Sequence, residues 1–359
     1  MDKIDCEFYN QIDNLKSVLI RKLNKCDKVF IFPHNKMDYD ALASAVALCD
    51  ICNHFGIDNY IVTNDKFDDS NVGISRLILE LRDTYNFINS KTFNAMRNED
   101  DLFVVTDSCV KTLMPVSDIE EYGNEIVVID HHNPDSNVIN TDNLFINNEA
   151  CSASEILFFL MKSLDIYISE ETCQLMLAGI YLDTNGLNYM HNPSGMKSYN
   201  KLLQYGANLE DVKGLFAISG RERKIVDELI SYNTIYHDYQ GKKFAIAFNR
   251  GNPDMIYTDQ QLACACDSLL QSCDVVFVIG HIFRDKNKQS IIAVKARSKV
   301  DTDTEDVSAI MQLFDGGGDT NRAACRLCVS DILSTKDKLK NILKYNPENR
   351  NKQYTLTNK

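Results

Sequence analysis

Apolar residues recur along this chain in two registers. Short continuous runs alternate with longer stretches in which apolar positions return every three or four residues. Val29–Phe32, Tyr60–Thr63, Phe103–Thr106 and Val127–Ile129 are runs of the first kind and predict strands. Runs without polar interruption are what strands buried on both faces require, as in a parallel sheet. Ala41–His54, Ile74–Leu81, Ser152–Ser163 and Glu171–Leu182 carry the helical period, and Ile4–Leu23 reads as an amphipathic helix packed on the first domain. Strands alternating with helices predict parallel pairing through right-handed crossovers. The fold class expected is therefore α/β, with a larger parallel-sheet domain over residues 1–190.

Past the turn-rich Tyr189–Gly195, Lys197–Tyr205 and the charged stretch Leu209–Ile230 read as helical, and Ser231–Asp238 as the approach to a linker. Residues 191–240 are thus expected to form a helical linker. Phe244–Phe248, Val275–Gly280 and Ser290–Arg297 predict strands, with helices at Asp259–Leu270, Thr304–Leu313 and Lys336–Tyr345. That pattern suits a smaller, mixed α/β domain over residues 241–345, its sheet covered on one face. Residues 346–359 are polar enough to be disordered.

Four of the apolar segments end in acids or imidazoles. Ile126–Ile129 runs into Asp130-His131-His132; Val29–Pro33 into His34, then Asp38 and Asp40; Leu102–Thr106 into Asp107-Ser108; Leu175–Leu182 into Asp183-Thr184. A single Asp after a strand is commonly a helix cap. Coincidence at four segment ends, with His-x3-Asp-x-Asp and Asp-His-His among them, asks for more than caps. Two His and four Asp, with one carboxylate to bridge, suit a pair of Mn²⁺ or Mg²⁺ ions, because carboxylate and water favour those metals and thiolate is absent. Two metals about 3.5–4 Å apart clamp a displacement at phosphorus.

Composition narrows the partner. The 359 residues accommodate two domains, and 44% hydrophobic with 25% charged residues is ordinary for a globular chain. A net charge of −13 argues against a broad grip on long nucleic acid, whereas a short nucleotide held by metals is compatible. The twelve cysteines fit reduced, buried thiols in a cytosol. Cys49/Cys52 and Cys325/Cys328 have zinc-like spacing but equally mark helix faces or core contacts. Every apolar run is too short to span a bilayer, so direct membrane insertion is not expected.

At these residues the chain resembles the DHH phosphoesterases. His34-Asn35-Lys36-Met37-Asp38-Tyr39-Asp40-Ala41 looks like the first motif of that family, Asp107-Ser108 the second, Asp130-His131-His132 the third and Asp183-Thr184 the fourth. Gly316-Gly317-Gly318 resembles the glycine motif of the DHH-associated C-terminal domain, and Ala296-Arg297-Ser298 stands where that domain often has the same tripeptide. Within the superfamily the chain is most similar to the catalytic half of bacterial cyclic di-AMP phosphodiesterases, then to oligoribonuclease/pAp phosphatases.

The resemblance implies two divalent ions, Mn²⁺ foremost with Mg²⁺ or Co²⁺ as alternatives, in a cleft between the domains. His34, Asp38 and Asp107 would hold one ion; Asp40, Asp107, His131 and Asp183 the other; Asp107 would bridge. Asp130 and His132 would orient ligands or touch the phosphate as catalytic groups. Arg297, Ser298, Gly316, Gly317, Gly318 and Arg322 would bind substrate, and His191 and Asn192 are either phosphate neighbours or plain turn formers. Where the family's glycine motif usually ends in His this chain has Asp319. A helix starting at the glycines would put Arg322 on its face, neutralising that carboxylate. The expected activity is hydrolysis of cyclic di-AMP to pApA and on to AMP; oligoribonuclease or pAp 3′-phosphatase activity, with short RNA as a partner, and a non-catalytic nucleotide sensor remain the alternatives. A homodimer is the working expectation.

Overall fold

Burial on both faces is what turns the apolar runs into parallel strands. The protein is described here from a computed structural model covering residues 3–64, 72–133, 137–188, 190, 192–217, 219–237, 242–283, 290–299, 305–327 and 332–344. It divides into two units, Met1–Ala217 and Ile218–Lys359.

In the first unit the order is α1 (Lys3–Leu23), β1 (Lys28–Pro33), α2 (Tyr39–His54), β2 (Asp58–Thr63), α3 (Val72–Leu81), β3 (Phe87–Asn89), α4 (Ser90–Met96), β4 (Leu102–Thr106), β5 (Glu125–Asp130), β6 (Leu144–Ile146), α5 (Ala153–Ser163), α6 (Glu170–Asp183), α7 (Pro193–Gln204) and α8 (Leu209–Phe216). The six strands are all parallel, in the order β3-β2-β1-β4-β5-β6. Side chains alternate across the sheet. Val29, Ile31, Val104, Val127 and Ile129 join the core with α1, α2, α5 and α6, while Phe30, Phe32, Phe103, Val105 and Val128 pack on the other face around Phe93 of α4. The short edge strands β3 and β6 lack a long apolar run, and the sequence pattern does not reveal them.

The second unit runs α9 (Gly220–Ser231), β7 (Thr234–His237), β8 (Lys243–Ala247), α10 (Asp259–Leu270), β9 (Val275–Phe283), β10 (Ser290–Ser298), α11 (Val307–Gln312), β11 (Gly317–Asp319), β12 (Arg322–Leu327) and α12 (Ile332–Lys344). Its sheet is mixed, β11-β12-β10-β9-β8-β7, with only β8 and β9 parallel. Helices cover both faces, not one: α11 and α12 pack on Phe277 and Val294, and α9 and α10 on Val276 and Ala293. The stretch expected to be linker is structured on either side of the division. α7 and α8 belong to the first unit; α9, capped by a Ser219–Glu222 box, and the edge strand β7 belong to the second.

The glycine run is the largest departure from expectation. No helix starts there. Gly317–Asp319 is a strand that turns back into β12, with Asp319 opposite Arg322 across a tight hairpin. The helix-face pairing of those two residues is thereby replaced by a cross-strand one. The glycines fit this geometry for packing reasons: Gly318 has φ +136, and a Cβ on Gly316 would strike the Ala324 carbonyl and sit 2.5 Å from the Cys325 Cβ. The expected disordered tail lies outside the described residues. No helix among the described residues is long and apolar enough to cross a membrane.

Gly316→Ala should therefore destabilise the second unit by about 1–3 kcal/mol, the usual cost of overpacking. Urea unfolding of parent and variant checks this; coincident midpoints would mean that the hairpin has room to spare.

Candidate metal centre

Chain order fixes where the chemistry gathers. β1 lies beside β4, and the sheet grows outward from that pair in opposite directions, so the carboxyl ends of β1, β4 and β5 face one crevice. His34 follows β1, Asp107 follows β4, and Asp130 ends β5 with His131 and His132 behind it. Asp107 has φ +59, a left-handed conformation that costs an ordinary residue roughly 1–2 kcal/mol. It is held there by its N–H donating to the Ile129 carbonyl at 3.0 Å, a bond that continues the β4–β5 ladder.

Two acids come from the start of α2. Asp38 is its N-cap: Oδ1 accepts the N–H groups of Asp40 and Ala41 at 3.0 and 3.1 Å, which leaves Oδ2 3.6 Å from His34 Nε2. Asp40 is fully buried, and its carboxylate accepts the first N–H groups of α5, Ala153 at 2.7 Å and Ser154 at 2.9 Å. Both acids thus serve a helix terminus and face the centre at once. Asp183 ends α6. That helix approaches closely enough that a Cβ on Gly179 would lie 2.5 Å from Asp40 Oδ1.

The side chains converge in the grouping inferred from the motifs. Ligand atoms of His34, Asp38 and Asp107 lie within 4.8 Å of one another, as do those of Asp40, Asp107, His131 and Asp183. His131 Nε2 is 3.5 Å from Asp107, 3.4 Å from Asp183 and 3.9 Å from Asp40. Those spacings are too long for hydrogen bonds. They match donors arranged about 2.0–2.2 Å from a shared cation. Asp107 Oδ1, His131 Nε2 and Asp183 Oδ2 are buried without a hydrogen-bond partner among the described residues, a costly state that a divalent ion would relieve. The donor set fits hard or borderline divalent cations.

The electrostatics agree. Burial, then the charge of Asp107, pushes Asp40 up to about 7; burial, then Asp40 and Asp107, raises Asp183 well above the carboxylate range. Burial disfavours protonated His34 and His131, but Asp107 beside them outweighs it and lifts them to about 10 and about 9. Asp107 itself is lowered, the two imidazoles overcoming burial. Asp130 stands behind the ligands: Oδ1 accepts the N–H groups of His131 and His132 at 2.8 and 3.2 Å and lies 2.8 Å from His132 Nδ1. The ionised Asp130 keeps the proton on Nδ1 and leaves Nε2 of the half-exposed His132 available.

Asn192 is the N-cap of α7, its Oδ1 accepting from Gly195 N–H at 3.0 Å; His191 lies outside the described residues. In the second unit Arg297 and Arg322 are paired across β10 and β12. Arg297 donates to Asp267 at 3.2 Å and to its neighbour's carbonyl at 2.9 Å, and the Ser298 hydroxyl to the Glu305 carbonyl at 2.7 Å. Cys49 and Cys52 lie buried on α2 with thiols raised by burial, core residues in neutral form; Cys328 is outside the described residues. The sequence did not point to the start of α5. Ser152-x-x-Glu155 is a legible helix-start signal, but nothing in the pattern says that the amides behind it grip Asp40.

Comparison with known proteins agrees with this architecture. Residues 28–180 match the model of the DHH family, N-terminal domain. The chain is 29% identical over 336 residues to a membrane protein-large ribosomal subunit bL9 fusion protein of Aster yellows witches'-broom phytoplasma, covering 91% of this chain and 38% of the relative. It is 25% identical over 341 residues to the cyclic-di-AMP phosphodiesterase GdpP of Bacillus subtilis, covering 92% of this chain and 49% of that one. The chain thus spans half or less of the length of these relatives. Among solved structures, an exopolyphosphatase-related protein from Bacteroides fragilis superposes with a TM-score of 0.71 at 17% identity, over 92% of this chain and 98% of that one, a likeness of fold.

A pH prediction follows for the chelated protein. His34 and His131 are raised on folding, so their contribution is complete below about 6.5 and is lost as pH climbs through about 9 and 10. Asp40, raised to about 7, acts in the same direction from about 4 upward, whereas the lowered Asp107 and Asp130 matter only in acid. Urea stability with chelator should fall by about 1 kcal/mol or more between pH 6.5 and 9.0. Added Mg²⁺ should restore more stability at pH 9.0 than at 6.5, since ligands must be deprotonated. A rescue equal at both pH values would argue against ion-paired histidines.

Proposed function

From the match of residues 28–180 to the DHH family, N-terminal domain, we propose that the protein is a two-metal phosphodiesterase of small nucleotides, with cyclic di-AMP as substrate and linear pApA as first product. The observation that carries the proposal is the convergence of four carboxylates and two imidazoles at the carboxyl ends of the strands, with three of their ligand atoms buried and unpartnered. Mn²⁺ is the ion proposed, with Mg²⁺ or Co²⁺ as substitutes. His34, Asp38 and Asp107 would hold one ion, Asp40, Asp107, His131 and Asp183 the other.

Bound there, two such ions supply a deprotonated water near neutral pH and charge to offset the phosphoryl oxygens. The protein's own groups do the rest. Asp107 would tie the two ion positions into one unit from a backbone fixed by Ile129. Asp130 holds the His132 ring so that Nε2 can contact a phosphoryl or leaving oxygen. Substrate size is supported by the name and coverage of the Bacillus relative and by charge. Residues 1–217 carry 33 acidic against 17 basic side chains, residues 218–359 carry 18 against 21, so the excess acid sits in the unit that needs cations. In the second unit the proposed substrate groups are Arg297, Ser298, Arg322 and the hairpin glycines.

The test is a panel of kcat/KM values with Mn²⁺ for cyclic di-AMP, cyclic di-GMP, linear pApA, pAp and a long single-stranded RNA. Cyclic di-AMP should lead; a lead of more than about tenfold, or about 1.4 kcal/mol, for the linear substrates would make the protein an oligoribonuclease or pAp phosphatase instead. Asp107→Ala should lower turnover by several orders of magnitude while the far-ultraviolet spectrum stays unchanged, because both ions lose a ligand. Turnover within about tenfold of the parent would refute the bridging role.

A further inference from the structure

One buried polar cluster stands just behind the metal ligands. Glu155 in the first turn of α5 is fully buried, and its Oε2 accepts the Cys151 N–H at 2.7 Å. Asn192 Nδ2 lies 3.5 Å from the same oxygen and also donates to the Glu149 carbonyl, while Asn192 Oδ1 accepts the α7 amide of Gly195 at 3.0 Å and the Cys151 thiol at 3.0 Å. Gly195 has no space for a side chain: a Cβ would strike Asn192 and lie 2.5 Å from Cys151 Sγ and 3.4 Å from Glu155 Oε2.

The cluster joins two helix starts that serve the metal ligands. The α5 start supplies the two amides that hold Asp40. The α7 start anchors the far end of the connection leaving Asp183, in which Asn185, Gly186 and Leu187 all have positive φ. A connection with three successive left-handed residues has little tendency of its own to keep that geometry. Its position depends on what fixes its ends.

We propose that Glu155 is a positioning residue: by holding the Cys151 N–H it fixes the lead-in to α5, on which the Asn192 cap of α7 rests through the Cys151 thiol and the Glu149 carbonyl, and so keeps Asp40 and Asp183 at ligand distance, and with them the ion position they share with His131. His34 directly follows β1 and Asp38 caps α2, and neither depends on this link. The inference rests on the metal assignment above, yet not on any substrate.

Calorimetric titration of chelator-treated protein with Mn²⁺ tests it, at a temperature well below the unfolding transition of each variant. In Glu155→Ala, one of two binding steps should weaken by about 10–100-fold, the usual cost of removing support behind a ligand, while the other stays within about threefold. Glu155→Gln, which keeps the acceptor, should stay close to the parent in both. Turnover should drop in kcat with KM nearly unchanged. Should Glu155→Ala not fold, Glu155→Asp and Gly195→Ala carry the same expectation, one by shortening the reach and the other by forcing the cluster apart. Folded variants with parental Mn²⁺ affinity at both steps, or an equal loss at both, overturn the proposal. If the parent binds two ions but turns over no nucleotide, the phosphodiesterase reading fails and this one still stands on the titration.

Discussion

Like charges crowded at one point, with water largely excluded, set the conditions for the first unit. Asp40, Asp107 and Asp183 surround His131 within 3.9 Å, and Asp38 and Asp107 share His34 on the other side. Full ionisation of such a set without a counter-charge is unfavourable, which is why two carboxyls rise and two imidazoles hold their protons. Bound cations would resolve the conflict for every member at once. The same frustration that costs folding energy in their absence would become binding energy in their presence.

Helix termini keep the crowd in order. Asp38 caps α2 with one oxygen and faces the centre with the other, and Asp40 takes the two leading amides of α5. Partial positive charge at each helix start favours the acid placed there. The close approach of α6 at Gly179 then brings Asp183 to the same point. A cap and a candidate ligand are thus compatible descriptions of these acids.

The second unit is organised by pairing rather than crowding. Lys295 and Arg326 share Asp259 at 2.6 and 3.0 Å, and Arg297 takes Asp267. Asp259 is lowered despite burial because those two cations flank it. α10 therefore fixes the orientation of basic residues on β10 and β12.

The sequence by itself determined the four central strands of the parallel sheet, its longer helices and the six ligand candidates, because each rests on a local signal. An apolar run buried on both faces admits no other reading, and an acid placed directly after it inherits its location from the strand. The sequence could not determine what non-local packing decided. The short edge strands β3 and β6 exist because neighbouring strands offer them hydrogen bonds, not because of their own pattern. Gly316–Gly318 could equally open a helix or form a hairpin, and the pairing with β12 chose the latter. Glu155 and Asn192 meet across 37 residues of chain, a contact that no spacing rule encodes. Only the folded chain shows that the amides of Ala153 and Ser154 end on Asp40, because that bond depends on where α5 docks rather than on which residues begin it.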